Sequence, residues 1–280
     1  MNVFTALLAI FLGANPLEAF EKTTRTALRK SGMTRHSEND VVWFTGGKGE
    51  RTVVLVHGVN DQAGTWSAVT PKLKKDFRLV AIDLPGHGES GPKEGPLPMR
   101  SMIDALAAVI DRESPGKPVV LVGNSMGGWV SILYATEHPE RVAQLILEDS
   151  SGMAWDLRHV PLFPKDRDEA IKLLRLVHGP DAKIPDFLIN AVLNAKEMPQ
   201  KRVLEAGILD WIVDTRLPKL TMPVTLIWGA NDGLLPLAYA NTLQSRIAGS
   251  KLHVIASAAH IPHRQAPEEF LRLFREATQQ

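Results

Sequence analysis

The sequence contains no cysteine, which excludes disulfide frameworks, thiolate zinc sites, iron–sulfur clusters and cysteine nucleophiles. Neither sign of charge predominates: 32 Lys and Arg face 31 Asp and Glu across 280 residues. A formal charge of +1 sets up no global field, so nucleic acid is not an expected partner. Internal repeats, low-complexity tracts and long runs of like charge are missing as well. What is present is ordinary for a soluble folded chain, with 44% hydrophobic and 22% charged residues. The length suits one large α/β domain or two small ones.

Charge is also missing from residues 1–17, where Val3 to Leu12 are almost wholly apolar. Basic residues begin only at Lys22, Arg25, Arg29 and Lys30, the reverse of a secretory signal, which places its positive charge first. About eleven helical residues rise roughly 16 Å, half of a hydrocarbon core of about 30 Å, so this run cannot span a membrane. An all-apolar helix must still be covered. Residues 1–20 are therefore expected to pack against protein, to mediate dimerisation, to lie at a membrane interface, or to be a poorly formed signal. A cytoplasmic or peripherally membrane-associated protein is expected before a secreted one.

From about residue 41 short β-branched runs alternate with helix-length stretches. The strands are expected at Thr52 to Val56, Arg78 to Ile82, Val119 to Val122, Gln144 to Leu147, Val224 to Trp228 and Leu252 to Ile255, with helices near 65–75, 99–113, 126–137, 236–247 and 267–277. This alternation implies a mostly parallel sheet with helices on both faces. One interval breaks the rhythm: residues 150–222 separate two strands that an ordinary crossover would join in a dozen or more residues. Asp166 with Glu169 resembles a capping box and Pro185 suits a helix start, while Leu204, Ile208, Trp211 and Ile212 fall at helical spacing. The expected organisation is an N-terminal segment and helix over residues 1–40, a core of residues 41–149 and 223–280, and a helical cap over 150–222. The cap carries 11 basic and 10 acidic residues, so it reads as an apolar lid, and Trp155, Leu157, Phe163 and Phe187 are its candidate substrate contacts.

Directly after the strand ending at Val122 comes Gly123-Asn124-Ser125-Met126-Gly127-Gly128, and then a helical stretch. So tight a strand-to-helix reversal leaves no room for side chains two residues either side of the serine, hence glycine at 123 and 127. The hydroxyl is thereby exposed at the carboxyl end of the sheet. Serine is a poor nucleophile at neutral pH; it needs a histidine base, which needs an acid to set its tautomer. Of nine histidines, His260 lies just past the last strand and is the candidate base, with His263 its rival. Asp232, in Trp228-Gly229-Ala230-Asn231-Asp232, is the candidate acid, and Asp149 after the preceding strand the alternative. Two backbone N–H groups should cradle the oxyanion: that of Met126, and that of Val59 in His57-Gly58-Val59-Asn60. Ile261 is a further candidate for substrate contact. Such chemistry needs no metal or cofactor.

Taken together, His57-Gly58-Val59, the loop from Asp83 to Ser90 (DLPGHGES), GNSMGG, His138-Pro139-Glu140-Arg141-Val142, WGAND and His260-x4-QAPEEF resemble the α/β-hydrolase superfamily from about 52 to 275. The insert, with Val160-Pro161-Leu162-Phe163-Pro164, a helix and Lys183-Ile184-Pro185, is similar to the monoacylglycerol lipase and lipolytic carboxylesterase branch. The resemblance implies an α/β-hydrolase fold with a helical cap and a serine carboxylic ester hydrolase acting on neutral acyl esters, with medium-chain or monoacylglycerol-like substrates. It also implies a membrane-anchoring role for the apolar start. The chain departs from the pattern at Ala259, where many relatives have glycine, and at Gln265, where they have an acid. A serine at 125 argues against dehalogenase and epoxide hydrolase chemistry, where aspartate forms the ester. The rival enzyme class is a carbon–carbon bond hydrolase of ring meta-cleavage products. That class usually has tryptophan after the histidine and a Gly-Pro-Gly oxyanion loop, where this chain has Ile261 and Asn60-Asp61-Gln62. A ligand receptor on the same fold, without turnover, is the third reading.

Overall fold

Runs of fully buried β-branched and aliphatic residues make the centre of the sheet, as both faces of a parallel sheet must be covered. The computed structural model describes residues 16–194 and 198–279. The apolar run from Val3 to Leu12, and with it residues 1–15 of the segment 1–20 read as anchor, packing helix or signal, lies outside the described residues; residues 16–20 begin the first helix. In chain order the first half comprises α1 (Pro16–Lys30), β1 (Thr34–Glu38), β2 (Val41–Gly46), β3 (Thr52–Val56), α2 (Thr70–Leu73), β4 (Arg78–Asp83), α3 (Met99–Glu113), β5 (Val119–Asn124), α4 (Met126–Glu137) and β6 (Val142–Glu148). Helices α5 (Arg167–His178), α6 (Asp186–Asn194) and α7 (Pro199–Glu205) follow. The chain then returns to the sheet through β7 (Val224–Gly229), α8 (Leu237–Ser245), β8 (Lys251–Ile255), α9 (Pro262–Gln265) and α10 (Pro267–Thr278). Among the described residues no helix is long and apolar enough to cross a membrane.

The eight strands are ordered β1-β2-β4-β3-β5-β6-β7-β8, all parallel except the two pairings made by β2. All six expected strands are present. The hairpin of β1 and β2 is additional, and its polar first strand, Thr-Arg-His-Ser-Glu, is mostly exposed. Its two-residue turn is Asn39-Asp40, both at positive φ (47° and 62°), a conformation whose twist matches that of the strands. A charged edge strand of this kind blunts edge-to-edge pairing. It lacks the apolar alternation that makes a strand visible in a sequence.

Two cores flank the sheet. One is built on α3, α4 and α8, with Trp43, Val54, Leu121, Tyr134 and Trp228; the other on α1 and α10, with Phe44, Trp66, Leu55, Phe270 and Phe274. The connections leaving β3 and β5 thus run to opposite faces, which opens a crevice at the carboxyl ends of these neighbouring strands.

Within 150–222, Asp166 caps α5 by accepting from Glu169 N (2.9 Å), while Glu169 Oε2 accepts from Lys165 N (2.9 Å). Such a cap is worth about 1 kcal/mol. Ala170, Leu174 and Ile189 form a small core between α5 and α6, separate from the two on the sheet. Residues 204–212 do not continue one helix: α7 ends at Glu205, Gly207 takes φ +83°, and a single 3₁₀ turn follows at Leu209–Trp211. Val213, Leu217, Leu220 and Met222 then join the core over α4, so the last part of this interval belongs to the sheet's own packing.

Candidate active site

The chain reverses between β5 and α4 at Ser125, which holds φ 53° and ψ −119°. A Cβ on Gly123 would come within 2.4 Å of Gly127 O, and one on Gly127 within 2.3 Å of Val56 O, so neither position tolerates a side chain. Ser125 is fixed by its N–H donating to Glu148 O (3.0 Å) and by its carbonyl accepting from Ser151 N (3.1 Å). Asn124 contributes what the motif alone did not reveal. Its Nδ2 donates to Glu148 O (3.3 Å) and to His260 O (3.0 Å), tying the turn at Ser125 to the loop after β8.

That loop brings His260 Nε2 to 2.9 Å from Ser125 Oγ and Nδ1 to 2.8 Å from Asp232 Oδ2. Asp232 Oδ1 accepts from Leu234 N and Leu235 N (2.9 Å each), which turns Oδ2 toward the ring. All three side chains are buried, so the chain Ser125 O–H to His260 to Asp232 operates in a low dielectric. Gln265, one of the departures in the sequence, braces the loop. Its Oε1 accepts from Ala259 N (2.8 Å) and Ile261 N (3.3 Å), on either side of His260, and its Nε2 donates to His178 O (3.2 Å). A neutral amide can do both.

The rivals lie elsewhere or play another part. His263 is fully buried, bonded through Nδ1 to Glu148 Oε2 (2.7 Å) and through Nε2 to Thr65 Oγ1 (2.9 Å), and stacked on Trp66. Asp149 lies beside Asp232. Burial, followed by the Asp232 charge, pushes its carboxyl well above the usual carboxylate range. Asp149, Asp232 and His260 present one atom each within 4.8 Å of one another, the only such metal-compatible group among the described residues. The 2.8 Å separation of His260 Nδ1 and Asp232 Oδ2 is that of a hydrogen bond, and an ion between them, at about 2.0–2.2 Å from each, would displace it.

Met126 N and Val59 N donate to no protein acceptor among the described residues, and both residues line the cavity above Ser125. Val59 follows β3 and Met126 follows β5, one on each side of the crevice. His57 braces this loop, its Nδ1 donating to Gly58 O (2.7 Å) and its Nε2 accepting from Leu84 N (3.0 Å). Asn60, at φ 59°, pairs with Gln200 of α7: Asn60 Nδ2 donates to Gln200 Oε1 (3.0 Å) and Gln200 N donates to Asn60 Oδ1 (2.9 Å).

The cavity has a volume of about 620 Å³. Of the residues expected on its wall, Leu157, Phe187 and Ile261 line it, but Trp155 and Phe163 do not. Trp155 packs edge-on to Tyr239 (5.2 Å), and Phe163 is half exposed, because the irregular, turn-containing stretch before α5 turns them away from the serine. Phe20, Glu21 and Thr24 of α1 form a wall that the sequence did not disclose. Gln62 ties that helix to the loop after β3, donating to Glu21 O (3.2 Å) and Thr24 Oγ1 (2.7 Å).

Two histidines near the site are held neutral. Burial, reinforced by the neighbouring His57, pushes His87 down to about 3; burial, with Arg264 and His260, pushes His178 down to about 4. Below about pH 6.5 the unfolded chain binds protons that the native state refuses, so stability present above that pH is lost as pH falls toward 4 and then 3, by about 1.4 kcal/mol per unit for each group. As pH falls from 7 to 5 the wild type is expected to lose melting temperature relative to His87→Asn, which keeps a donor toward Pro85 O, while the raised Asp149 carboxyl acts in the opposite direction equally in both proteins. Parallel slopes in a melting series would show that His87 carries none of this dependence.

Comparison with known proteins accords with this fold. Residues 53–273 match the alpha/beta hydrolase family. A pimeloyl-[acyl-carrier protein] methyl ester esterase of Edwardsiella ictaluri is 32% identical over 247 residues, covering 81% of this chain and 93% of that protein. Among solved structures, a membrane phospholipase A described as a bacterial virulence factor superposes with a TM-score of 0.80 at 24% identity, over 98% of this chain and 95% of the other. A meta-cleavage product hydrolase from Pseudomonas fluorescens superposes with a TM-score of 0.71 at 22% identity, over 89% and 95%. At these identities the structural likeness is one of fold.

Proposed function

Because the chain belongs to the alpha/beta hydrolase family, we propose that it is a serine carboxylic ester hydrolase acting on neutral acyl esters through an acyl-enzyme. The observation that carries this reading is the hydrogen-bonded chain from Ser125 through His260 to Asp232, buried at the base of a large cavity. His260 Nε2 takes the Ser125 proton as Oγ attacks the ester carbonyl, and Asp232 stabilises the imidazolium that forms. The developing oxyanion is received by the N–H groups of Val59 and Met126, each typically worth about a hundredfold or more in rate. His260 then returns the proton to the leaving alcohol and activates the water that frees the acid. A fluorophosphonate probe on Ser125, followed by turnover of a p-nitrophenyl ester panel, tests this reading. Including a ring meta-cleavage product in the panel separates it from carbon–carbon hydrolysis, which preferential turnover of that compound would indicate.

In this reading residues 150–222 cover the site, and the Asn60–Gln200 pair couples α7 to the loop that carries Val59. The cavity wall over the serine is largely aliphatic, with Leu157, Leu173, Leu188, Val192 and Leu204. Medium-chain acyl esters or monoacylglycerols are the proposed substrates, in keeping with a relative named for an acyl methyl ester. Each additional buried CH₂ contributes up to about 0.8 kcal/mol, close to fourfold. Hexanoyl to decanoyl esters are therefore expected to exceed acetyl esters in kcat/KM. An acetate optimum would remove the lipid-like substrate from the proposal.

Membrane association through the apolar start is tested by deletion. The cut belongs before Pro16, because Phe20 lies on the cavity wall and a deletion through residue 20 would open the site. Removing residues 1–15 is expected to reduce flotation with liposomes while kcat on a soluble ester stays within a few-fold. Loss of solubility or of a dimer instead would assign the segment to protein packing.

A further inference from the structure

Asp149 is a buried carboxyl for which the mechanism above has no use. It follows β6, is completely buried, and holds φ at +40°, a left-handed conformation that Asp and Asn tolerate better than other non-glycine residues. Its position is set by β7: its N–H donates to Ile227 O (3.1 Å), and its Oδ1 accepts from Gly229 N (3.1 Å). These contacts aim the carboxyl across the ends of adjacent strands at Asp232, an oxygen of each lying within 4.8 Å of the other.

Two carboxylates cannot share a hydrogen bond, since neither has a donor, and like charges in contact in a dry site are not both ionised. The partners decide which one keeps the proton. Asp232 accepts from three donors, Oδ1 from Leu234 N and Leu235 N and Oδ2 from His260 Nδ1, whereas the two oxygens of Asp149 share the single N–H of Gly229 (3.1 and 3.4 Å), so the missing donor is on Asp149. The remaining ionisable groups facing it are Glu148 on the same strand, engaged by His263, and His260 beyond Asp232. The Glu148 charge acts in the same direction as that of Asp232.

We propose that Asp149 is a positioning residue of this site: as a neutral carboxylic acid it donates a hydrogen bond to Asp232 and thereby fixes the carboxylate that orients His260. Its consequence for rate rests on the serine hydrolase reading, whereas the proton itself does not. Infrared difference spectra of wild type minus Asp149→Asn at pH 8 are expected to contain the carbonyl stretch of a protonated carboxyl. In ester turnover, Asp149→Asn keeps an N–H donor toward Asp232 and tolerates the positive φ, so its kcat is expected within about tenfold of wild type. Asp149→Ala lacks the donor and is expected to lose about 10²-fold in kcat at nearly constant KM, the scale of a misplaced catalytic group. Absence of the band, or equal losses in the Asn and Ala variants, would overturn the proposal. Should the Ala variant fail to fold, the band alone decides. A wild-type protein that turns over no ester removes the functional reading while the band still reports on Asp149.

Discussion

Ser125→Ala is expected to lower kcat on any ester by about 10⁴- to 10⁶-fold while KM and the melting temperature stay near wild type. The large loss follows from deleting the hydroxyl that forms the acyl-enzyme in the proposed mechanism. The constancy elsewhere follows from the backbone. Alanine keeps the Cβ, so the strain at φ 53° is unchanged, and the bonds that fix the turn are made by main-chain atoms and Asn124. Residual turnover should match what Val59 N, Met126 N and the cavity achieve without a nucleophile. Chelation with EDTA is expected to leave wild-type turnover unchanged, since each step runs through side-chain and backbone protons. Full activity in Ser125→Ala, or loss on chelation that a divalent ion restores, would defeat the serine mechanism.

The second large effect is at Asp232, where Asn is expected to cost about 10³- to 10⁴-fold in kcat. Only Asp232 Oδ2 stands 2.8 Å from His260 Nδ1, and an amide there can present N–H to the ring and favour the wrong tautomer. Asp149→Asn should cost far less, because its carboxyl reaches His260 only through Asp232. Kinetics of the two variants, read side by side on one ester, check the assignment. Equal losses, or the larger loss at Asp149, would reverse it.

The two carboxyls also mark how far the residues could be read in one dimension. Both follow strands at the same edge of the sheet, so position alone leaves Asp149 and Asp232 as alternatives. The structure separates them through the amides of Leu234 and Leu235, which turn one carboxyl toward His260, and through Gly229, which holds the other behind it. The same is true of His260 and His263, three residues apart. One reaches Ser125, and the other is sealed against Trp66 and Glu148.

What the sequence determined by itself was the alternation of strands and helices, the turn at Ser125 and the long interval after β6. These depend on local chemistry: a buried strand must be continuously apolar, and a serine on so tight a reversal requires glycine at fixed offsets. The tertiary structure decided everything that depends on side chains distant in sequence. It placed α1 against the cavity, although nothing in an amphipathic helix states what its apolar face will meet. It turned Trp155 and Phe163 off the wall, since an irregular loop has no periodicity from which to read direction. It also surrounded the carboxyl pair of Asp149 and Asp232 with unequal donors, on which the proposed protonation of Asp149 rests, because these donors come from three separate segments and water is excluded, neither of which is written in the order of residues.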